Sequence, residues 1–121
     1  MLRAMVIIIS VGSLASAHSF TTLEERDNPN ATFTWIFKNV ISTASTAACI
    51  ECHKPPKPAG RNDYSSYDKV MASRTIIKEN PEGSSFYTQM TTEKMPPKGP
   101  PVGNVSHQAV YDWIKKGAPN D

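Results

Sequence analysis

Two thiols and an imidazole lie within five consecutive residues, Cys49-Ile50-Glu51-Cys52-His53, and these are the only cysteines of the 121-residue chain. Cysteine thiols can form a disulfide, exchange electrons as a dithiol pair, bind a metal or attach a cofactor. A structural disulfide is a poor interpretation, because a bridge across two residues closes too small a loop to stabilise much by chain entropy. Zinc needs four ligands, and the other histidines, His18 and His107, lack metal-site spacing to this pair.

The histidine that directly follows the second cysteine indicates a more specific chemistry. A dithiol redox pair stays open as an alternative, but such pairs accompany a βαβ pattern that this sequence does not show. The arrangement Cys-x-x-Cys-His is typical of covalent c-type haem attachment. In that chemistry Cys49 and Cys52 add to the vinyl groups of the haem, and His53 binds the iron. The sequence therefore predicts one covalent haem c.

A haem iron has a second axial position, which thioether sulfur or imidazole commonly fills. Met95 is the preferred candidate, because Pro96 and Pro97 follow it and proline restricts the backbone to a stiff, non-helical loop. Met71 and Met90 lie in segments with helical patterns, where a methionine usually fills the core. A histidine ligand and an open iron are the remaining alternatives.

The chain offers little apolar material for a core of its own. Residues 1–17 combine Arg3, an apolar run and the ending Ala15-Ser16-Ala17, which together predict a cleaved secretory signal peptide. The run is too short for a membrane-spanning helix, which needs about 20 apolar residues. The 104 residues that follow contain one leucine, Leu23, and all ten prolines. We therefore expect the haem to complete the core, and folding to depend on its insertion.

Hydrophobic periodicity predicts a first helix before the cysteines. Residues 18–30 are polar and are expected to form a flexible lead-in. Thr32 is a plausible N-cap for the amphipathic pattern that follows. Its apolar positions have helical spacing: Phe33, Ile36, Phe37, Val40, Ile41 and Ala44.

Three more helices are predicted after the cysteines. Two short ones follow caps at Ser65 or Ser66 and at Ser84 or Ser85. Ser106 is predicted to cap the last helix, which ends where Lys115-Lys116-Gly117 precedes Pro119. The fold class predicted for residues 31–121 is all-α, with three to five short helices and long loops wrapped around the haem.

Three motifs together resemble the small single-haem c-type cytochromes of class I. They are the attachment motif, the Met-Pro-Pro loop and a closing Trp-Ile…Gly-Ala helix, at residues 49–53, 95–97 and 113–118. The resemblance implies an electron carrier rather than an enzyme, with no catalytic residues and with His53 and Met95 as axial ligands. Only 41 residues separate this pair, fewer than in larger members of the class, so one haem edge should be relatively open. A haem enzyme or gas sensor with a displaceable sixth ligand is the alternative.

Lysines lie close to both cofactor motifs in the sequence, at Lys54, Lys57, Lys94 and Lys98. In the resembled fold these segments border the exposed haem edge, where positive charge would steer an acidic redox partner. A solvated lysine-rich loop explains the same residues equally well. The net charge of +2 does not suggest a nucleic-acid binder. Export and covalent haem attachment together predict a periplasmic protein that does not span the membrane.

Overall fold

The computed structural model describes residues 27–42, 48–97 and 99–121. Within these ranges the chain is helical and contains no strand, which confirms the predicted all-α class for this part of the protein. The α-helices are α1 (Phe33–Ile36), α2 (Cys49–Cys52), α3 (Tyr67–Ala72), α4 (Ser85–Thr91) and α5 (Asn104–Lys115). The predicted signal peptide, most of the lead-in, Ala44 and Lys98 lie outside the described residues.

The first helix begins where the sequence predicts and then changes from α-helical to π-helical geometry. The Thr32 hydroxyl accepts a hydrogen bond from Trp35 N at 3.1 Å, the bond that defines an N-cap. Asp121 accepts from the two preceding amides, Phe33 N through its carboxylate and Thr34 N through its main-chain oxygen, both at 2.9 Å. Beyond α1 the chain continues directly into a π-helical turn, Phe37–Ile41. The N-terminal amides of α1 are therefore satisfied by one local residue and one from the far end of the chain.

The last helix starts earlier than predicted and ends as predicted. The N-cap is Gly103, with extended backbone, so the expected cap at Ser106 is wrong. At the other end, Gly117 adopts a φ of 103°, and its N–H donates to Ile114 O at 3.0 Å. The N–H of Ala118 donates to Trp113 O at 2.9 Å. These two bonds form a Schellman motif, which terminates α5 and turns the chain back.

The core lies where α1 packs against α5. The rings of Phe33 and Trp113 lie 5.8 Å apart, and Phe37 packs beside Phe33 at 5.6 Å. The indole N–H of Trp113 donates to Pro119 O at 2.9 Å, so its one polar group is satisfied inside the core. These aromatic contacts join the first helix to the last.

Serine hydroxyls hold the chain where α3 and α4 begin. The Ser66 hydroxyl caps α3 by accepting from Lys69 N at 3.3 Å. Ser84 precedes α4 but does not cap it with its side chain. Its buried hydroxyl instead accepts from Ile77 N and donates to Asn80 O, both at 2.8 Å. Ser84 thereby fastens the loop between α3 and α4.

Candidate cofactor site

A cavity of about 540 Å³ opens between α2, α4 and the loop that precedes α5. This volume falls within the roughly 300–1,000 Å³ of small-molecule and cofactor pockets. All four predicted site residues line it: Cys49, Cys52, His53 and Met95. The structure therefore brings together groups that are up to 46 residues apart in the sequence.

The cavity is continuous with the core rather than a surface groove beside it. Tyr64, Phe86 and Met90 belong to the hydrophobic core and also line the cavity. Val102 packs against the core and closes another part of the wall. Because most of the lining is apolar, the cavity suits a large apolar ligand that carries a few groups for specific contacts.

Helix α2 is a single turn that holds the two thiols. Cys49 is half-buried, and its thiol donates to Val40 O at a sulfur–oxygen distance of 3.6 Å, whereas Cys52 is exposed. Burial raises the pKa of the Cys49 thiol to about 11. Redox-active cysteines have lowered pKa values, because the thiolate is the attacking species. Cys49 is therefore a poor nucleophile for dithiol exchange.

His53 is the C-cap of α2, and a hydrogen bond from its ring selects the tautomer. The side chain is buried, and its Nδ1 lies 3.0 Å from Asn62 O. A carbonyl oxygen can only accept, so Nδ1 must donate, and Nε2 of the neutral ring keeps its lone pair. Histidines that bind metals through one nitrogen commonly donate from the other to a backbone carbonyl. His53 is thus prepared to bind a metal through Nε2.

Met95 lies on the loop between α4 and α5. Its N–H donates to Gln89 O at 3.0 Å, which ties the start of the loop to the end of α4. The side chain lines the cavity while remaining 37% exposed. A thioether held here can serve as a second donor to an occupant of the cavity.

The other two methionines considered as ligands, Met71 and Met90, differ in their surroundings. Met71 is half-buried against the core and does not line the cavity. Met90, on α4, is only 3% exposed and lines the cavity as well as the core. The predicted core role of Met90 is therefore correct but incomplete. His107 does not line the cavity.

Positive charge near the site is less concentrated than the sequence suggests. Lys54 forms an ion pair with Glu51, which itself lines the cavity, at 3.3 Å. Such an exposed pair contributes at most about 1 kcal/mol to stability, and its two charges largely offset each other at a distance. Lys57 and Lys94 are exposed. Neither lines the cavity, but each is close in the sequence to lining residues, as is the exposed Arg61 between Gly60 and Asn62.

Comparison of the chain with protein families, with curated proteins and with solved structures yields no match. Among the described residues, no group of three or more His, Cys, Asp and Glu side chains is arranged to hold a metal ion. No helix within the described ranges is long and apolar enough to cross a membrane. The assignment of this site therefore depends on the chemistry of Cys49, Cys52, His53 and Met95 and on the wall around them.

Proposed function

We propose that this protein is an exported electron carrier that holds one covalent haem c in the cavity, with His53 and Met95 as axial ligands. The observation that carries the proposal is the convergence of two thiols, a pre-oriented imidazole and a thioether on one largely apolar cavity. We further propose that residues 31–121 form a small cytochrome c-like domain.

The residues that line the cavity fit this group chemically. Cys49 and Cys52 are both free thiols, and a free thiol is what addition to a vinyl group requires. His53 supplies a nitrogen donor whose other nitrogen is already tethered. Met95 supplies sulfur, the softer donor that favours ferrous over ferric iron and raises the reduction potential.

The core offers a second, independent indication. Tyr64, Phe86 and Met90 lie between the packed core and the cavity, so an apolar occupant would continue the core without interruption. Burying its faces against these side chains would stabilise the fold and exclude water from the iron ligands. When bound, the haem supplies an iron that gains and loses one electron. The protein needs no general acid, base or nucleophile for that step.

One observation favours the second candidate, a haem enzyme or gas sensor. Met95 lies on a loop and is 37% exposed, so it is the ligand that another molecule could most easily displace. The third candidate, a haem-free thiol–disulfide protein, is disfavoured because burial raises the pKa of Cys49 to about 11.

We propose that the mature protein resides in the periplasm, because residues 1–17 have the pattern of a signal peptide. We also propose that an acidic redox partner docks at the mouth of the cavity. Lys57 and Lys94 would contribute to the attraction, together with Lys98, which lies outside the described residues.

Absorption spectra of the purified protein separate the three functions. The carrier should show a Soret band, retain its haem in acid-acetone, and bind no carbon monoxide when reduced at neutral pH. Carbon monoxide binding by the reduced protein would support the enzyme or sensor. A purified protein without a Soret band would contradict haem binding and return the thiol–disulfide function to first place.

A further inference from the structure

Tyr64 lies directly against His53 in the wall of the cavity. Its backbone N–H donates to the His53 carbonyl oxygen at 2.8 Å. Its ring lies against the imidazole, with ring centroids 4.6 Å apart and an interplanar angle of 31°. Both side chains are buried and both line the cavity. Tyr64 therefore touches His53 through the main chain and through the ring.

Tyr64 is itself held in place on two sides. The edge-to-face contact with Phe86 has a centroid distance of 5.2 Å and an interplanar angle of 72°. The Tyr64 hydroxyl donates to Thr75 Oγ1 at 3.3 Å, and that oxygen lies 2.7 Å from Ser73 Oγ. A ring fixed in this way can limit the motion of a neighbour that it stacks on.

One hydrogen bond does not by itself fix the plane of the His53 imidazole. Its one hydrogen bond, from Nδ1 to Asn62 O, selects the tautomer. A single hydrogen bond still leaves the ring free to rock about the line from Nδ1 to the oxygen. The Tyr64 ring packs against the imidazole at a tilt of 31° and opposes that rocking.

We propose that Tyr64 is a positioning residue that sets the plane of the His53 imidazole. The inference rests on the proposed function, because it concerns His53 as an iron ligand. Since the plane of an axial imidazole affects the anisotropy of low-spin ferric iron, the electron paramagnetic resonance spectrum reports the orientation without any assay of electron transfer.

The test compares two tyrosines that lie close together in the sequence. Tyr64→Leu should shift or broaden the largest ferric g value, and Tyr64→Phe, which keeps the ring, should restore the wild-type signal. Tyr67→Leu is the matched control. Tyr67 also packs against an aromatic ring, Phe33 at 5.1 Å, and bonds through its hydroxyl to Ala118 O at 2.8 Å, but it does not line the cavity. This control should lower the thermal midpoint and leave the g values unchanged.

A measurement on the wild type covers the case in which Tyr64→Leu does not fold. The diamagnetic ferrous protein should show nuclear Overhauser effects between the ring protons of Tyr64 and His53, and their absence would overturn the inference. An unchanged signal in Tyr64→Leu, or an equal shift in Tyr67→Leu, would also overturn it while leaving the proposed function intact. Wild-type protein without covalent haem would instead overturn both.

Discussion

The two sides of the core are organised differently. On the α1–α5 side, Thr32 caps one helix, a Schellman motif at Gly117 closes the other, and Phe33 packs against Trp113 between them. On the cavity side, α2 is a single turn, α4 forms one wall, and the rest of the lining is largely loop. Isolated hydrogen bonds, such as the one from Met95 N to Gln89 O, hold those loops.

This difference indicates what each side depends on. The α1–α5 side buries its own apolar side chains and supplies hydrogen-bond partners at the start of α1 and the end of α5, so its packing uses only groups that the chain itself provides. The cavity side directs thiols, an imidazole and a thioether at a space that the chain does not fill. We infer that the order of the cavity side, and through the shared residues that of the core, depends on the bound group.

The largest expected effect comes from removing both thiols. The double variant Cys49→Ala/Cys52→Ala should contain no covalent haem, lose its helical circular dichroism and be degraded, because the cavity then lacks the group that completes the core. Each single variant should keep at most one thioether bond, visible in the reduced pyridine spectrum. A helical, protease-resistant double variant without haem would show that the chain folds by itself and that the two sides do not differ in this way.

The next largest effect is expected at the sixth ligand. Met95→His should keep the iron six-coordinate and lower the reduction potential by a large share of the roughly 0.8 V that axial ligands span, because nitrogen stabilises ferric iron relative to sulfur. Met95→Ala should open the site to water and to carbon monoxide. Potentiometric titration and reduced spectra with the gas measure the two outcomes.

Two other methionines provide controls for that assignment. Met71→Leu and Met90→Leu each exchange side chains of similar volume, so the spectrum should be almost unchanged. Met90 is the stricter control, because it lines the same cavity. The weak far-red charge-transfer band of ferric iron bound to sulfur should vanish in Met95→Ala and survive in both controls. Its loss in Met90→Leu and survival in Met95→Ala would make Met90 the ligand.

On the opposite side of the core, Trp113→Ala should act on stability alone. The side chain is 1% exposed, and truncation of a buried tryptophan to alanine costs about 3–5 kcal/mol. Val105 on the same helix is 64% exposed, so Val105→Ala should change the unfolding free energy by less than about 0.5 kcal/mol. Urea titrations followed by circular dichroism measure both. A shift of the haem spectrum in Trp113→Ala would mean that the two sides are coupled more tightly than we infer.

The sequence predicted the parts of the molecule that depend on local chemistry. The Thr32 hydroxyl, placed before an amphipathic repeat, accepts from an amide three residues later, as predicted. The spacing of Cys49, Cys52 and His53 likewise needs no tertiary information to predict haem attachment, which stays a prediction. The predicted cap of α5 at Ser106 was wrong because the actual N-cap, Gly103, has extended backbone and no side chain that could be recognised as a cap in the sequence.

Other parts of the site could not be predicted in this way. Hydrophobic periodicity predicts that Met90 faces the core, but it does not predict that a cavity lies beyond this side chain. Asn62 holds His53 through a backbone carbonyl, a group that every residue possesses. The stacking of Tyr64 on His53 follows from how residues 54–63 turn, and their three prolines indicate only that this segment is irregular.

The smallest expected effect concerns the exposed lysines that lie close in the sequence to the cavity residues. Lys57→Glu and Lys94→Glu should each slow electron transfer to ferricyanide, an anion, several-fold at low ionic strength. The difference should shrink as salt approaches 0.1 M, where screening acts over about 10 Å. Lys115→Glu makes the same charge change on α5, which contributes no residue to the cavity wall, and should slow the reaction less. If wild-type rates do not vary with ionic strength, or if all three variants slow equally, these lysines belong to a solvated loop and the docking surface lies elsewhere.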